Sequence, residues 1–327
     1  MSLHARFDRA LARLARPLGK LYVDGFGPEL EARVAGVRDY VGPAPVLDLR
    51  WGAPRRVLGV TVRAGRFDSP AARYLPPASR VGLVEQWMPR PDAPVCVLLA
   101  ATGEEGLGRR RPFARWLAVH GIGAVILENP FYGARRPDGQ RAAFLRTVAD
   151  QFAMNLATVE EAAALLRTFH AAGHRVGVTG YSQGGVMAAF AAAVSDFAVV
   201  VVPRGAARAA GPVFTDSALS HAMCWDTLAR EAGGLDAARA RFLASLEPVR
   251  VDRFDAPRDP SLAILVASRH DGFIPATEAE ALHHHWEGSE LRWVDGGHLT
   301  GLVLHHHVHR GAVLDAFARA VERPQGA

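Results

Sequence analysis

Gly180-Tyr181-Ser182-Gln183-Gly184 stands between a short β-branched run, Val176-Gly177-Val178-Thr179, and a helix-forming segment from Gly185 to Ala193. The first reads as a buried strand bounded by Gly173, the second as a helix. Strand, Gly-x-Ser-x-Gly turn and helix together have the layout of a nucleophile elbow. So sharp a turn crowds the residues two before and two after the serine, and glycine at 180 and 184 relieves the crowding. It also lifts the hydroxyl above the sheet edge and aims a helix N-terminus at whatever charge develops there. A tight connection carrying an inert serine uses the same residues, so the rest of the chain must decide.

Outward from the elbow, apolar runs alternate with helical patterns. Val57–Arg63, Val81–Trp87, Val95–Leu99 and Ala124–Leu127 read as strands before it; Phe197–Val202, Leu262–Ala267 and Leu291–Val294 follow it. Helices are expected over Pro112–His120, within Arg141–Ala172, and from about Leu302 to Val321. The pattern predicts an α/β fold, a mostly parallel central sheet with helices on both faces. The rhythm breaks between Pro203 and Pro257, where helical segments (Ala218–Ala232, Leu235–Leu246) predict a helical cap insertion. The expected organisation is a helical extension at 1–56, a core at 57–202 and 258–323, and the cap at 203–257.

A serine hydroxyl needs a base, and the base an acid to orient it. In sheets carrying such an elbow the three follow in the order Ser, Asp/Glu, His. Leu262–Ala267 runs into Ser268-Arg269-His270-Asp271-Gly272, and Leu291–Val294 into Asp295-Gly296-Gly297-His298. Asp271 and His298 are therefore the expected partners of Ser182. His270, Asp295 and Asp216 are rivals; neighbours in a strand-end loop usually point apart, which demotes the first two. The oxyanion hole is expected to combine the N–H of Gln183 with that of Gly103 or Glu104, in the loop after Val95–Leu99. Glu104 and Glu105 would oppose an oxyanion unless they point outward or pair with Arg109 or Arg110. Tyr132, Tyr181, Met223 and Trp225 are candidate pocket residues.

Composition excludes several classes. The 327 residues carry a net charge of +5, but the charge is scattered arginine, with Lys20 the single lysine. No aromatic-interleaved basic ribbon speaks for nucleic acid. Cys96 and Cys224 give no disulfide framework, and no uninterrupted apolar signal region is seen, so a cytoplasmic protein is expected. The segment Arg6–Leu18 places Phe7, Leu11, Leu14 and Leu18 on one face and Arg6, Arg9, Arg13 and Arg16 elsewhere. Such a helix either packs its apolar stripe on the domain, the favoured reading, or lies on a membrane through residues 1–18. His283-His284-His285 and His305-His306-His307 cannot each converge on one ion, because consecutive helical residues diverge; no metal and no cofactor are expected.

With these parts placed, the chain resembles the α/β-hydrolases, and among them the subfamily of α/β-hydrolase domain-containing protein 18. The likeness rests on Gly65-Arg66-Phe67-Asp68-Ser69-Pro70, Ala101-Thr102-Gly103-Glu104, Leu127-Glu128-Asn129-Pro130-Phe131-Tyr132-Gly133 with Arg135-Arg136-Pro137, the elbow, and Asp295-Gly296-Gly297-His298. It implies a serine hydrolase acting without a cofactor on a small-molecule or lipid ester. Members often carry Met after the serine, where this chain has Gln183. A hydrolase-fold protein that only binds a lipid or partner is the alternative, and a peptidase or amidase a minor one.

Overall fold

The computed structural model describes residues 2–14, 19–40 and 43–322. Its strands are β1 (Arg50–Trp51), β2 (Arg55–Val57), β3 (Val60–Asp68), β4 (Val81–Met88), β5 (Val95–Leu99), β6 (Gly123–Leu127), β7 (Val176–Tyr181), β8 (Val200–Arg204), β9 (Ile264–Ser268) and β10 (Glu290–Val294). They form one sheet in the order β1-β3-β4-β6-β5-β7-β8-β9-β10, with β2 on β3. From β6 to β10 every neighbour is parallel; β1 to β4, and β4 with β6, pair antiparallel. This is the mostly parallel α/β sheet that the alternation predicts.

The helices are α1 (Leu3–Leu14), α2 (Leu30–Arg38), α3 (Arg111–Val119), α4 (Val148–Ala171), α5 (Gln183–Ala193), α6 (Gly211–Thr215), α7 (Trp225–Ala232), α8 (Leu235–Leu246), α9 (Ala276–His285), α10 (His298–Leu304) and α11 (His306–Val321). Strands β5, β6, β7 and β9 are buried along their whole length. Their alternate side chains feed two cores. Val95, Val97 and Leu99 pack with α4, α5 and α9, while Cys96 and Leu98 pack with α3 and α11.

Register then positions the site. Leu99 pairs with Gly180, Tyr181 with Arg204, and Val294 with Ser268. The loops after β5, β7, β8, β9 and β10 thus all leave at the carboxyl edge, where open α/β sheets hold their ligands.

Several boundaries differ from expectation for local reasons. Val57–Arg63 is not one strand: Leu58 and Gly59 both take positive φ (50° and 83°) and turn β2 back onto β3. Residues 50–57 consequently join the sheet instead of a helical extension. The long helix starts at Val148, where the Asp150 N–H donates to Thr147 Oγ1 (3.0 Å) and the Thr147 N–H to Asp150 Oδ2 (3.2 Å). The last helical stretch divides into α10 and α11 at His305.

In α1 the expected apolar stripe is only partly buried where its side chains are described, with Leu11 half-buried. Leu3 is 77% and Phe7 48% exposed, whereas Asp8 is 0% exposed. Arg16 and Leu18 lie outside the described residues. Among the described residues no helix is long and apolar enough to cross a membrane.

The segments that carry the narrower resemblance meet inside the protein. Arg135, 1% exposed, reaches both oxygens of fully buried Glu161 on α4 (2.5 and 2.7 Å). The guanidinium also donates to the carbonyls of Glu128 and Ser79, and Ser69 Oγ donates to Glu161 (2.6 Å). Sequence stretches near 69, 128–135 and 161 are therefore one buried polar knot.

Candidate active site

Ser182 follows β7 directly and opens α5 with φ 55° and ψ −121°, a strained conformation for a residue with a side chain. The flanking glycines make it reachable. A Cβ on Gly180 would lie 2.3 Å from the Gly184 backbone, and one on Gly184 2.7 Å from the carbonyl oxygens of Leu99 and Ala100. The Ser182 N–H donates to the Arg204 carbonyl (2.9 Å), fixing the elbow to β8.

Asp271 and His298 come together from the loops after β9 and β10. His298 Nδ1 lies 2.7 Å from Asp271 Oδ2, and both side chains are buried. Asp271 Oδ1 accepts the N–H groups of Phe273 and Ile274, each at 2.8 Å, so the carboxylate is held at both oxygens. The rings of Tyr181 and Phe273 flank the imidazole at 4.9 and 5.0 Å. Ser182 and His298 line the same cavity, of about 600 Å³. Their side chains are not hydrogen-bonded to each other here; such contacts often close only around substrate. The rival pair His270 and Asp295 meet each other at 3.2 Å, on an exposed rim.

The oxyanion side differs from expectation. The Gly103 N–H points to Tyr132 Oη (3.4 Å) and the Glu104 N–H to the Ala101 carbonyl (3.1 Å), so both candidate donors are engaged. In the same loop the Thr102 N–H has no partner among the described residues, and Thr102 lines the cavity. Glu104 is neutralised by Arg110 (2.6 Å), one of the two partners expected, and Glu105 by Arg136 (2.7 Å). Gln183 joins the two sides of the site. Its Oε1 accepts from Thr102 Oγ1 (3.1 Å), and its Nε2 donates to Asn155 Oδ1 (3.0 Å), which also accepts from Gln151 (2.9 Å). Sequence reading missed Asn155 and Gln151; polar residues on an otherwise buried face of α4 were the available signal.

The pocket candidates divide. Tyr181 lines the cavity, but its hydroxyl donates to the His298 carbonyl, so it braces the loop. Tyr132 is buried beneath Gly103, away from the cavity wall. Met223 bridges to Leu21 and is 3% exposed, and Trp225 packs on Phe242. Both belong to the apolar cluster that also takes in side chains of α2, α4 and α8. From that insertion the wall takes Val213, Phe214 and Leu219 instead, facing Val186, Phe273 and Leu299. Among the described residues no cluster of His, Cys, Asp and Glu could hold a metal.

His309 also lines the cavity, and burial, aided by the Arg204 guanidinium, lowers its pKa from 6.5 to about 3. Below pH 6.5 the unfolded chain therefore takes up a proton that the folded protein refuses. Stability falls as pH drops from 6.5 toward 3, by about 1.4 kcal/mol per pH unit. In His309→Leu the loss of unfolding free energy between pH 7 and pH 5 is expected to shrink by about 2 kcal/mol. Urea titrations at the two pH values measure it, and an unchanged difference would refute it.

Known proteins share this geometry's frame. The family model "Alpha/beta hydrolase domain containing 18" matches residues 41–234 and 229–319. The acetyl xylan esterase from Paenibacillus sp. R4 is similar over 96% of this chain and 99% of its own, with TM-score 0.58 and 14% identity. That of Thermoanaerobacterium sp. JW/SL YS485 covers 95% and 99%, with TM-score 0.56 and 13% identity. A cold-adapted esterase from an Arctic intertidal metagenomic library covers 81% and 98%, with TM-score 0.51 and 17% identity. At these identities the likeness establishes the fold. The family match spans the elbow, the loops bearing Asp271 and His298, and the buried Arg135–Glu161 knot, and on it the chain belongs to the α/β-hydrolase domain containing 18 family.

Proposed function

We propose that the protein is a serine hydrolase that cleaves carboxylic esters, among them lipid acyl esters, through an acyl-enzyme. The observation that carries this reading is the Asp271–His298 hydrogen bond at the wall of a cavity into which the strained elbow presents Ser182. Ser182 Oγ attacks the ester carbonyl while His298 Nε2 takes its proton. Asp271 fixes the tautomer with Nε2 free and stabilises the imidazolium. The tetrahedral oxyanion is held by the N–H groups of Gln183 and Thr102, the second replacing the donors expected at Gly103 and Glu104. His298 then gives its proton to the leaving alcohol, and water, activated by the same imidazole, releases the acid. Apolar walls from Val213, Phe214, Phe273 and Leu299 suit an acyl chain.

A fluorophosphonate probe tests the reading, since it needs an activated serine and no knowledge of the natural ester. It is expected to modify the protein at Ser182 alone, as read by peptide mapping. Modification elsewhere, or persisting in Ser182→Ala, would discard the assignment.

A further inference from the structure

α1 lies against the loops that carry Asp271 and His298, and it does so through a carboxylate. Asp8 Oδ2 accepts the N–H groups of Gly272 (3.0 Å) and His298 (2.7 Å), and Oδ1 accepts that of Leu299 (3.3 Å). One fully buried side chain from the start of the sequence thus binds the residue after Asp271 together with His298 itself. The approach depends on two glycines. A Cβ on Gly272 would stand 2.8 Å from Asp8 Cβ, and one on Gly297 2.5 Å from Asp8 Oδ2. Gly297 has no side chain to satisfy the first N–H groups of α10, and Asp8 does so from 290 residues away in sequence. His4 adds a second tie, Nδ1 to Thr300 Oγ1 at 3.0 Å.

We propose that Asp8 is a positioning residue: it holds the Asp271 and His298 loops in mutual register and so sets where the imidazole stands relative to Ser182. The assignment rests on the catalytic reading above. A buried carboxylate is retained only where donors compensate its desolvation, and here all three donors belong to the two loops that must stay aligned. Asp8 itself does not line the cavity, so its loss removes no direct substrate contact, although its donors His298 and Leu299 do line it. Its effect therefore falls chiefly on the chemical step.

The test uses the full chain and a p-nitrophenyl ester, comparing wild type with Asp8→Asn, which keeps the shape and removes the charge. The expected kcat is lower by about 10- to 10²-fold with KM within about threefold, the size of a small misplacement of catalytic groups. Amide hydrogen exchange at Gly272, His298 and Leu299 should quicken while the β7 amides stay protected, which separates loop release from general unfolding. A folded Asp8→Asn protein with wild-type kcat overturns the assignment. If that variant does not fold, the wild type decides: slow exchange at the three amides supports the clamp, and exchange as fast as in exposed loops overturns it. The two readings fail separately. A wild type that no fluorophosphonate modifies defeats the catalytic reading, whereas a modified wild type with an indifferent Asp8→Asn defeats Asp8 alone.

Discussion

Ester turnover in Ser182→Ala is expected to fall by about 10⁴- to 10⁶-fold, the scale on which loss of a serine nucleophile acts. Alanine leaves the elbow, the glycine contacts and the Asp271–His298 hydrogen bond in place, so the loss reports the hydroxyl and not the fold. His298→Ala should fall as far, and the double variant no further, because the two act as one unit. Asp271→Asn should retain more, losing about 10⁴-fold, since the imidazole stays present in the wrong tautomer. Measured kcat/KM values for the wild type and the four variants on one p-nitrophenyl ester check the pattern. Residual activity in Ser182→Ala within tenfold of wild type, or additive losses in the double variant, would contradict the mechanism.

The second large effect concerns stability. Glu161→Gln removes the only carboxylate in direct contact with the enclosed Arg135 guanidinium among the described residues, with Glu128 nearby but not hydrogen-bonded to it through its carboxylate, and should lower unfolding free energy by about 3–5 kcal/mol. Replacing both partners, Arg135→Met with Glu161→Leu, removes the stranded charge and should recover part of that loss. The recovery is incomplete because Ser69 Oγ and the carbonyls of Ser79 and Glu128 lose their partner. Urea midpoints for wild type, single and double variants decide it. A double variant less stable than Glu161→Gln would show that the knot stabilises by its net attraction.

Much of the site was legible because it depends on strand ends. Parallel strands betray themselves as continuous apolar runs, and each residue of the proposed triad sits within four residues of one: Ser182 after β7, Asp271 after β9, His298 after β10. What failed depends on three-dimensional direction. Nothing in Ala101-Thr102-Gly103-Glu104 says which N–H is already engaged, and in the structure Tyr132 and Ala101 take two of them. Met223 and Trp225 looked like lining because they are large and apolar, the same property that packs them into the cluster shared with α2, α4 and α8. Asp8 was hidden for the opposite reason. A lone acid among Arg6, Arg9 and Arg13 reads as part of a solvated face, and only loops from the far end of the chain reveal its donors. The Leu58-Gly59 turn carried a signal, a glycine in the middle of a strand pattern, that the apolar run around it masked.

Gln183 has an evolutionary consequence. Its side chain satisfies Thr102 on one side and Asn155 on the other, so positions 102, 155 and 183 are a linked set. A methionine at 183 would bring neither donor nor acceptor, leaving the Thr102 hydroxyl without this partner and Asn155 with Gln151 alone. Across the family the three positions should covary, and a methionine introduced alone should suit this chain less well than one introduced with its companions.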